Sequence, residues 1–290
     1  MSLYDLLFAP FAEFAFMRRA LSGCVALSLG AAPVGVFLML RRMSLTGDAM
    51  AHAILPGAAV GFLVAGLSLP AMTVGGLIAG LVVAFLSGAV ARSTLLREDA
   101  SLAAFYIISL ALGVLIISVQ GSSVDLMHVL FGAVLALDDS ALYLTGSICT
   151  ATLLTLALIY RPLVMECVDP NYLRTVTGAG LWVHMLFLAL VVSNLVGGFQ
   201  ALGTLMAVGI LVLPAAGARF WVREISALLA VAALLGILAS YIGLLSSYHL
   251  NWPSGPAIVL CAGVIYLVSL LAGPVGSYLV QFWPARHLEA

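Results

Sequence analysis

The residues best suited to chemistry in this 290-residue chain are Asp48 and His52, in the run TGDAMAHAILPG. They stand four apart, so a helix through them puts both side chains on one face. Both are ionisable groups inside an apolar stretch, where such groups are expensive and usually functional. A carboxylate oxygen beside an imidazole nitrogen is a partial coordination sphere for Zn²⁺, Mn²⁺ or Fe²⁺. Two ligands are too few to hold a divalent ion. A two-fold dimer would present both residues twice and close a set of two oxygens and two nitrogens on its axis. Ala49, Ala51 and Ala53 are small enough for two such helices to approach, and Pro56 with Gly57 weakens the helix one turn on. The same residues also suit an Asp–His ion pair at a helix start, with Asp48 capping the N-terminus beside Gly47. No thiolate lies near, which argues against a copper(I) path.

Other polar groups carry weaker signals. Asp125 and His128, three apart, suit a wet interfacial pair or an outer metal contact. His184 and His249 sit near span ends and read as interfacial histidines. Ser193 and Asn194, inside an apolar span, read as groups that hold helices together. Cys24, Cys149, Cys167 and Cys261 form no C-x-x-C and read as small buried hydrophobes. No H-E-x-x-H and no G-x-S-x-G occurs, so an intramembrane enzyme has no recognisable machinery. The chain contains no Lys at all. A P-loop needs its Lys on the nucleotide phosphates, so any ATP hydrolysis belongs to another polypeptide, and the chain is expected to be a non-enzymatic pore without an intrinsic cofactor.

The elements that must position these residues are membrane spans. The chain is 64% hydrophobic and 8% charged, against about 25% charged for a soluble domain, so most of its surface must face lipid or other apolar protein. Net charge is −1, which gives no hint of nucleic-acid binding. A span needs about 20 apolar residues. The candidates are 20–40, 48–66, 70–91, 100–119, 141–160, 181–198, 201–219, 225–247 and 256–278. The stretch 124–137 is short and suits a re-entrant or interfacial helix. The first residues lack a basic n-region and read as an interfacial amphipathic segment rather than a cleaved signal. With nine spans, nine Arg fall on one side and only Arg18 and Arg19 on the other, which puts the first group in the cytoplasm. The longest cytoplasmic connection is then 161–180, where Asp169-Pro170 has the form of a helix start and Gly178 or Gly180 of a stop. Trp252 stands at interface depth in the outer turn 249–256. The pieces ILPGAAVG (54–61) and VLPAAGAR (212–219) echo each other, each placing Pro among small residues inside a span. Discontinuous helices of that kind can line a substrate path.

Four stretches in order also resemble a known family. RRMSLTGDAMAHAILPGAAVGF (41–62), HVLFGAVLAL (128–137), ALGTLMAVGILVLPAAGAR (201–219) and WPSGPAIVL (252–260) resemble segments of the membrane permeases of bacterial zinc, manganese and iron(II) ABC importers. The resemblance implies an all-α, polytopic bundle of eight to nine spans in the larger, type II-like importer architecture. The whole of 1–290 would be one transmembrane permease domain of the bacterial inner membrane, with 164–180 a cytoplasmic coupling segment. It implies a homodimer on two copies of a separate ATP-binding subunit, fed by an extracytoplasmic metal-binding protein. The family's metal-ligating pair carries over onto Asp48 and His52. Its coupling segment carries over onto Asp169, Pro170, Asn171, Tyr172, Arg174 and Gly178, with Leu173 where the family commonly has a small residue. The transported metal would be zinc, favoured slightly on imidazole preference, or manganese or iron(II), with ATP used by the partner. A proton-coupled secondary transporter, with Asp48 and His52 as proton carriers, is the alternative.

Overall fold

The computed structural model describes residues 3–66, 68–96, 98–119, 134–169 and 180–278, which are helical almost throughout, with no strand among them. Two short helices, α1 (Leu3–Leu7) and α2 (Ala9–Glu13), precede α3 (Ala15–Leu40). Next come α4 (Thr46–Ala53) and α5 (Leu55–Ala65), two parts of one rod, then α6 (Leu69–Ser93) and α7 (Glu98–Val119). The chain continues through α8 (Asp139–Val168), α9 (Gly180–Leu202), α10 (Thr204–Ala218), α11 (Ile225–Leu250) and α12 (Ser254–Ala272).

Eight of these are long and apolar enough to cross a membrane, with α4 and α5 taken as one span. The stretch expected as a further span, 201–219, holds only the 15 residues of α10. At 1.5 Å per residue such a helix rises about 22 Å, short of the roughly 30 Å hydrocarbon layer. The shortening has a local cause. Gly203, with φ 92, makes a left-handed break between α9 and α10 that only glycine adopts without strain. Helix contacts still give α10 a direction. Gly198 of α9 lies against Leu27 and Ala207, while Gly35 of α3 lies against Leu211 and Ala215. α10 therefore runs alongside α3 in the same sense and carries the chain back down the bundle inside the protein.

α3 is the hub. From Leu21 onward it is apolar or small on every side, as a helix surrounded by others must be. It packs against α8, α9, α10 and α11, and Met17, Ala20, Cys24, Val34, Phe37 and Leu38 are essentially inaccessible. Phe37 meets both Tyr160 of α8 and Phe187 of α9 edge-on. Asn194 is the buried polar link expected on α9: its Nδ2 donates to Thr152 Oγ1 of α8 at 2.8 Å. Ser193 instead donates back to Ala189 O of its own helix. Arg18 and Arg19 lie at the opposite end of α3 from Arg41. Arg18 Nη1 donates to Ala12 O at 2.8 Å and Arg19 Nε pairs with Asp139 at 3.0 Å. Their charge is thus met locally at the outer end, while Arg41, Arg42, Arg219 and Arg223 gather at the other, which by the excess of cytoplasmic Arg is the inner end.

One boundary differs from expectation. The span expected to stop at 160 runs on through Pro162 to Val168. Leu163 and Glu166 are buried there, so packing holds the last two turns despite the missing N–H. The connection that follows begins at Asp169, whose extended backbone ends α8 with its N–H on Met165 O. Pro170, Asn171, Tyr172, Arg174 and Gly178 lie outside the described residues, as do Asp125 and His128.

Asp138 caps α8. Its Oδ1 accepts from the Ala141 N–H at 2.9 Å and its Oδ2 accepts from Ser140 Oγ at 2.6 Å. The Ser140 hydrogen bond, then that from Ala141, holds the carboxyl below its ordinary value. A lowered carboxyl contributes stability above its unfolded pKa and loses it as pH falls through the folded one. Asp138→Ala is therefore expected to cost about 1 kcal/mol near neutral pH. The gap to the parent should close in acid, as thermal unfolding in detergent across pH would show.

Candidate metal site

Asp48 and His52 fall on one face of α4, as their spacing requires. Helix α4 starts three residues earlier than an Asp48 cap would need. Leu45 holds the N-cap position without a side-chain bond, and Asp48 is in the first turn. Its charge favours the positive end of the helix but satisfies no cap. The carboxylate is left for other partners. His52 Nε2 lies 3.8 Å from Asp48 Oδ1, with the two side chains 33% and 64% exposed. An ion bound to both at ~2.1 Å and a tetrahedral angle would bring the two atoms to about 3.4 Å, a small rotamer adjustment. The His52 ring stacks at 6.4 Å on Tyr106 of α7, which limits its swing.

The rod bearing the pair is broken just above it. Pro56 cannot donate to His52 O, and the helix is interrupted at Ile54. α7 braces the break: Ser109 Oγ donates to Ala53 O at 2.9 Å, and Gly113 lies against Pro56. Ile54 lies against Gly76 and Gly80 of α6, and Gly80 also meets Val192 in the middle of α9. Asp48 is six residues below that level, about 9 Å toward the inner end. The pair thus sits in the inner half of the bundle, beneath a helix discontinuity. The echo at 212–219 behaves otherwise, since Pro214 stays inside the continuous α10.

Among the described residues no cluster of three or more His, Cys, Asp or Glu could hold a metal. Among the described residues one chain offers the two donors of α4 and no third beside them. A half-exposed carboxylate in a membrane bundle needs water or protein across from it, so this face is suited to a water-filled path or a second copy. The free cysteines Cys24 and Cys149 are buried. His249 Nε2 lies 2.9 Å from Leu6 O, tying the end of α11 to the N-terminal segment.

Sequence reasoning missed one polar cluster. Arg41 and His184 served only as markers of orientation and interface, and Glu166 drew no notice. In the fold they meet at the inner ends of α3, α8 and α9. Arg41 Nη2 donates to Glu166 Oε1 at 3.2 Å and contacts His184 Nδ1. The three come from segments more than 120 residues and 18 residues apart, so no local pattern announces them.

The family described as ABC 3 transport family matches residues 13–273. The manganese import system permease protein ScaB of Streptococcus parasanguinis is 34% identical over 262 residues, 90% of this chain and 92% of that one. The chelated iron transport system membrane protein YfeD of Yersinia pestis is 29% identical over 269 residues, 93% of this chain and 89% of that one. The solved structure of PsaBC from Streptococcus pneumoniae in complex with Fab superposes with a TM-score of 0.84 at 30% identity. It covers 97% of this chain and 100% of that one.

Proposed function

The chain belongs to the ABC 3 transport family, and from that membership we propose a manganese-preferring importer permease that passes its cargo through Asp48 and His52 of two copies. It is a multi-pass protein of the bacterial inner membrane and the permease of a metal ABC importer. ATP is hydrolysed by a separate subunit, consistent with a chain that lacks Lys.

The observation that carries the site is the α4 face: a carboxylate and an imidazole within one ion's reach, below a break in their helix, in the inner half of the bundle. Carboxylates neutralise a dehydrated M²⁺ in a low-dielectric path, and imidazole supplies a borderline donor. A two-fold axis along this face would double the pair into a four-ligand ring. Metal would arrive from an extracytoplasmic binding protein. Two ATP-binding subunits would press on the connection from Asp169 to Gly178 and open the inner side. Imidazole preference alone points to zinc. Relatives named for manganese and for chelated iron weigh toward manganese, with the same oxygen and nitrogen donors serving either ion.

Elemental analysis of cells lacking the chain, grown in limiting metal, tests this. Manganese content is expected to fall, with iron and zinc little changed. A loss confined to zinc would reassign the cargo. Manganese uptake that persists when the partner ATPase carries an inactivating substitution would remove the ATP-driven mechanism in favour of proton coupling.

A further inference from the structure

The buried Arg41–Glu166–His184 cluster occupies a particular place in the chain. Glu166 lies three residues before Asp169, where the connection leaves α8. His184 lies in the first turns of α9, where that connection returns. Arg41 follows the last residue of α3, and after it the chain turns tightly: Arg42 takes a left-handed φ of 59, Met43 N–H donates to Leu38 O at 2.8 Å, and α4 begins at Thr46. Both roots of the 169–179 connection and the root of the helix bearing Asp48 and His52 therefore meet at one group of three side chains.

The chemistry of the group is tightly specified. Arg41 and Glu166 side chains are 10% and 7% exposed, and that of His184 is 3% exposed. Guanidinium has only donors, so His184 Nδ1 can meet Arg41 only as an acceptor. Glu166 Oε1 accepts from Arg41 and lies 3.9 Å from the same Nδ1. The guanidinium also sits over the Phe187 face at 5.2 Å. Among the described residues Arg41 Nη1 and Glu166 Oε2 have no hydrogen-bond partner. A buried ion pair that is only partly satisfied is a poor source of stability, because desolvation offsets the attraction and apolar residues of similar volume often do as well. Its attested value is to specify one arrangement over another.

We propose that Arg41, Glu166 and His184 are positioning residues that tie the inner ends of α8 and α9 to the α3–α4 turn, so that a motor-driven shift of those ends displaces the Asp48–His52 pair. This rests on the proposed importer function and adds to it the route between motor and metal. The cluster locks α3, α8 and α9 together at their inner ends. A shift of the inner ends of α8 and α9 must either carry the α3–α4 turn with it or exchange the partners of Arg41. Salt-bridge networks with two discrete arrangements are the kind of element that carries coupling between sites.

The test uses the permease purified with its ATPase subunits, reconstituted in proteoliposomes with the binding protein and Mn²⁺. Glu166→Gln keeps shape and removes charge. The triple variant R41M/E166L/H184L replaces the cluster with apolar side chains. The triple variant leaves no charge unpaired and is expected to keep the parent melting temperature and basal ATPase rate, whereas Glu166→Gln leaves Arg41 buried without its carboxylate and is expected to melt lower. Mn²⁺ uptake per ATP hydrolysed is expected to fall by about tenfold, and Glu166→Asp should restore part of it. Parent coupling in the triple variant would overturn the proposal. So would uptake and ATPase rate falling in step with melting temperature in the triple variant, which marks a purely structural cluster. A parent complex that moves no Mn²⁺ with ATP would instead count against the importer function, and that result is read before any variant.

Discussion

Asp48→Ala or His52→Ala is expected to reduce manganese uptake by about a hundredfold or more, while leaving the protein folded and bound to its ATPase. The size follows from symmetry. Each substitution removes two of four ligands from a ring shared by two copies, and even outer-shell changes at metal sites cost roughly ten- to a hundredfold in affinity. Folding is spared because Asp48 caps nothing and is 64% exposed, with His52 3.8 Å away in a loose pair. Asp48→Asn separates charge from shape. It keeps the volume and one oxygen donor, and should lose nearly as much as Asp48→Ala because the carboxylate's neutralising charge is what a dehydrated M²⁺ requires. Uptake of radiolabelled Mn²⁺ into cells, normalised to permease content in the membrane, reads the effect. Parent rates in both alanine variants would leave the α4 face without a metal role.

Much of this arrangement is legible without coordinates. Length and apolarity locate each of the eight spanning helices among the described residues, because a helix in hydrocarbon must satisfy its own backbone over about 20 residues. Asp48 and His52 are legible for the converse reason, since an ionisable pair at helical spacing stands out against such a background. Two boundaries were not. The span read as 141–160 stops short of Arg161 and Pro162, yet α8 continues past both, with Leu163 and Glu166 buried. The 201–219 run reads as a full span, yet Gly203 breaks it and leaves a 15-residue α10 against α3. Tertiary packing decided both. The Arg41–Glu166–His184 cluster is the same lesson at a site. Each residue looks ordinary in its own segment, and only the crossing of α3, α8 and α9 gives the three a common chemistry.

Gly57→Val is expected to have the largest effect on folding of any single change near the path. α5 carries Gly57 and Gly61 four apart, the spacing at which small residues let membrane helices approach closely. α6 presents Ala71, Gly75 and Ala79 to them. A Cβ on Gly57 would lie 2.0 Å from the Gly75 carbonyl oxygen, and one on Gly75 would lie 2.2 Å from that of Gly57. The obstacle is backbone on both sides, so no rotamer change relieves it and the helices must separate. Overpacking of this kind costs about 3 kcal/mol, enough to lose most stably folded protein, and even Gly57→Ala should lower the melting temperature clearly. Gly146→Ala and Gly263→Ala are the controls, since a Cβ at either meets nothing within 4 Å. Thermal unfolding in detergent compares the four. The position also bears on transport, because α5 continues α4 and its seat on α6 fixes how deep Asp48 and His52 stand. Any Gly57→Ala protein that does fold is expected to lose more uptake per molecule than the controls. A Gly57→Ala protein with the parent's melting temperature and uptake would mean that the α5–α6 contact does not set the height of the metal helix.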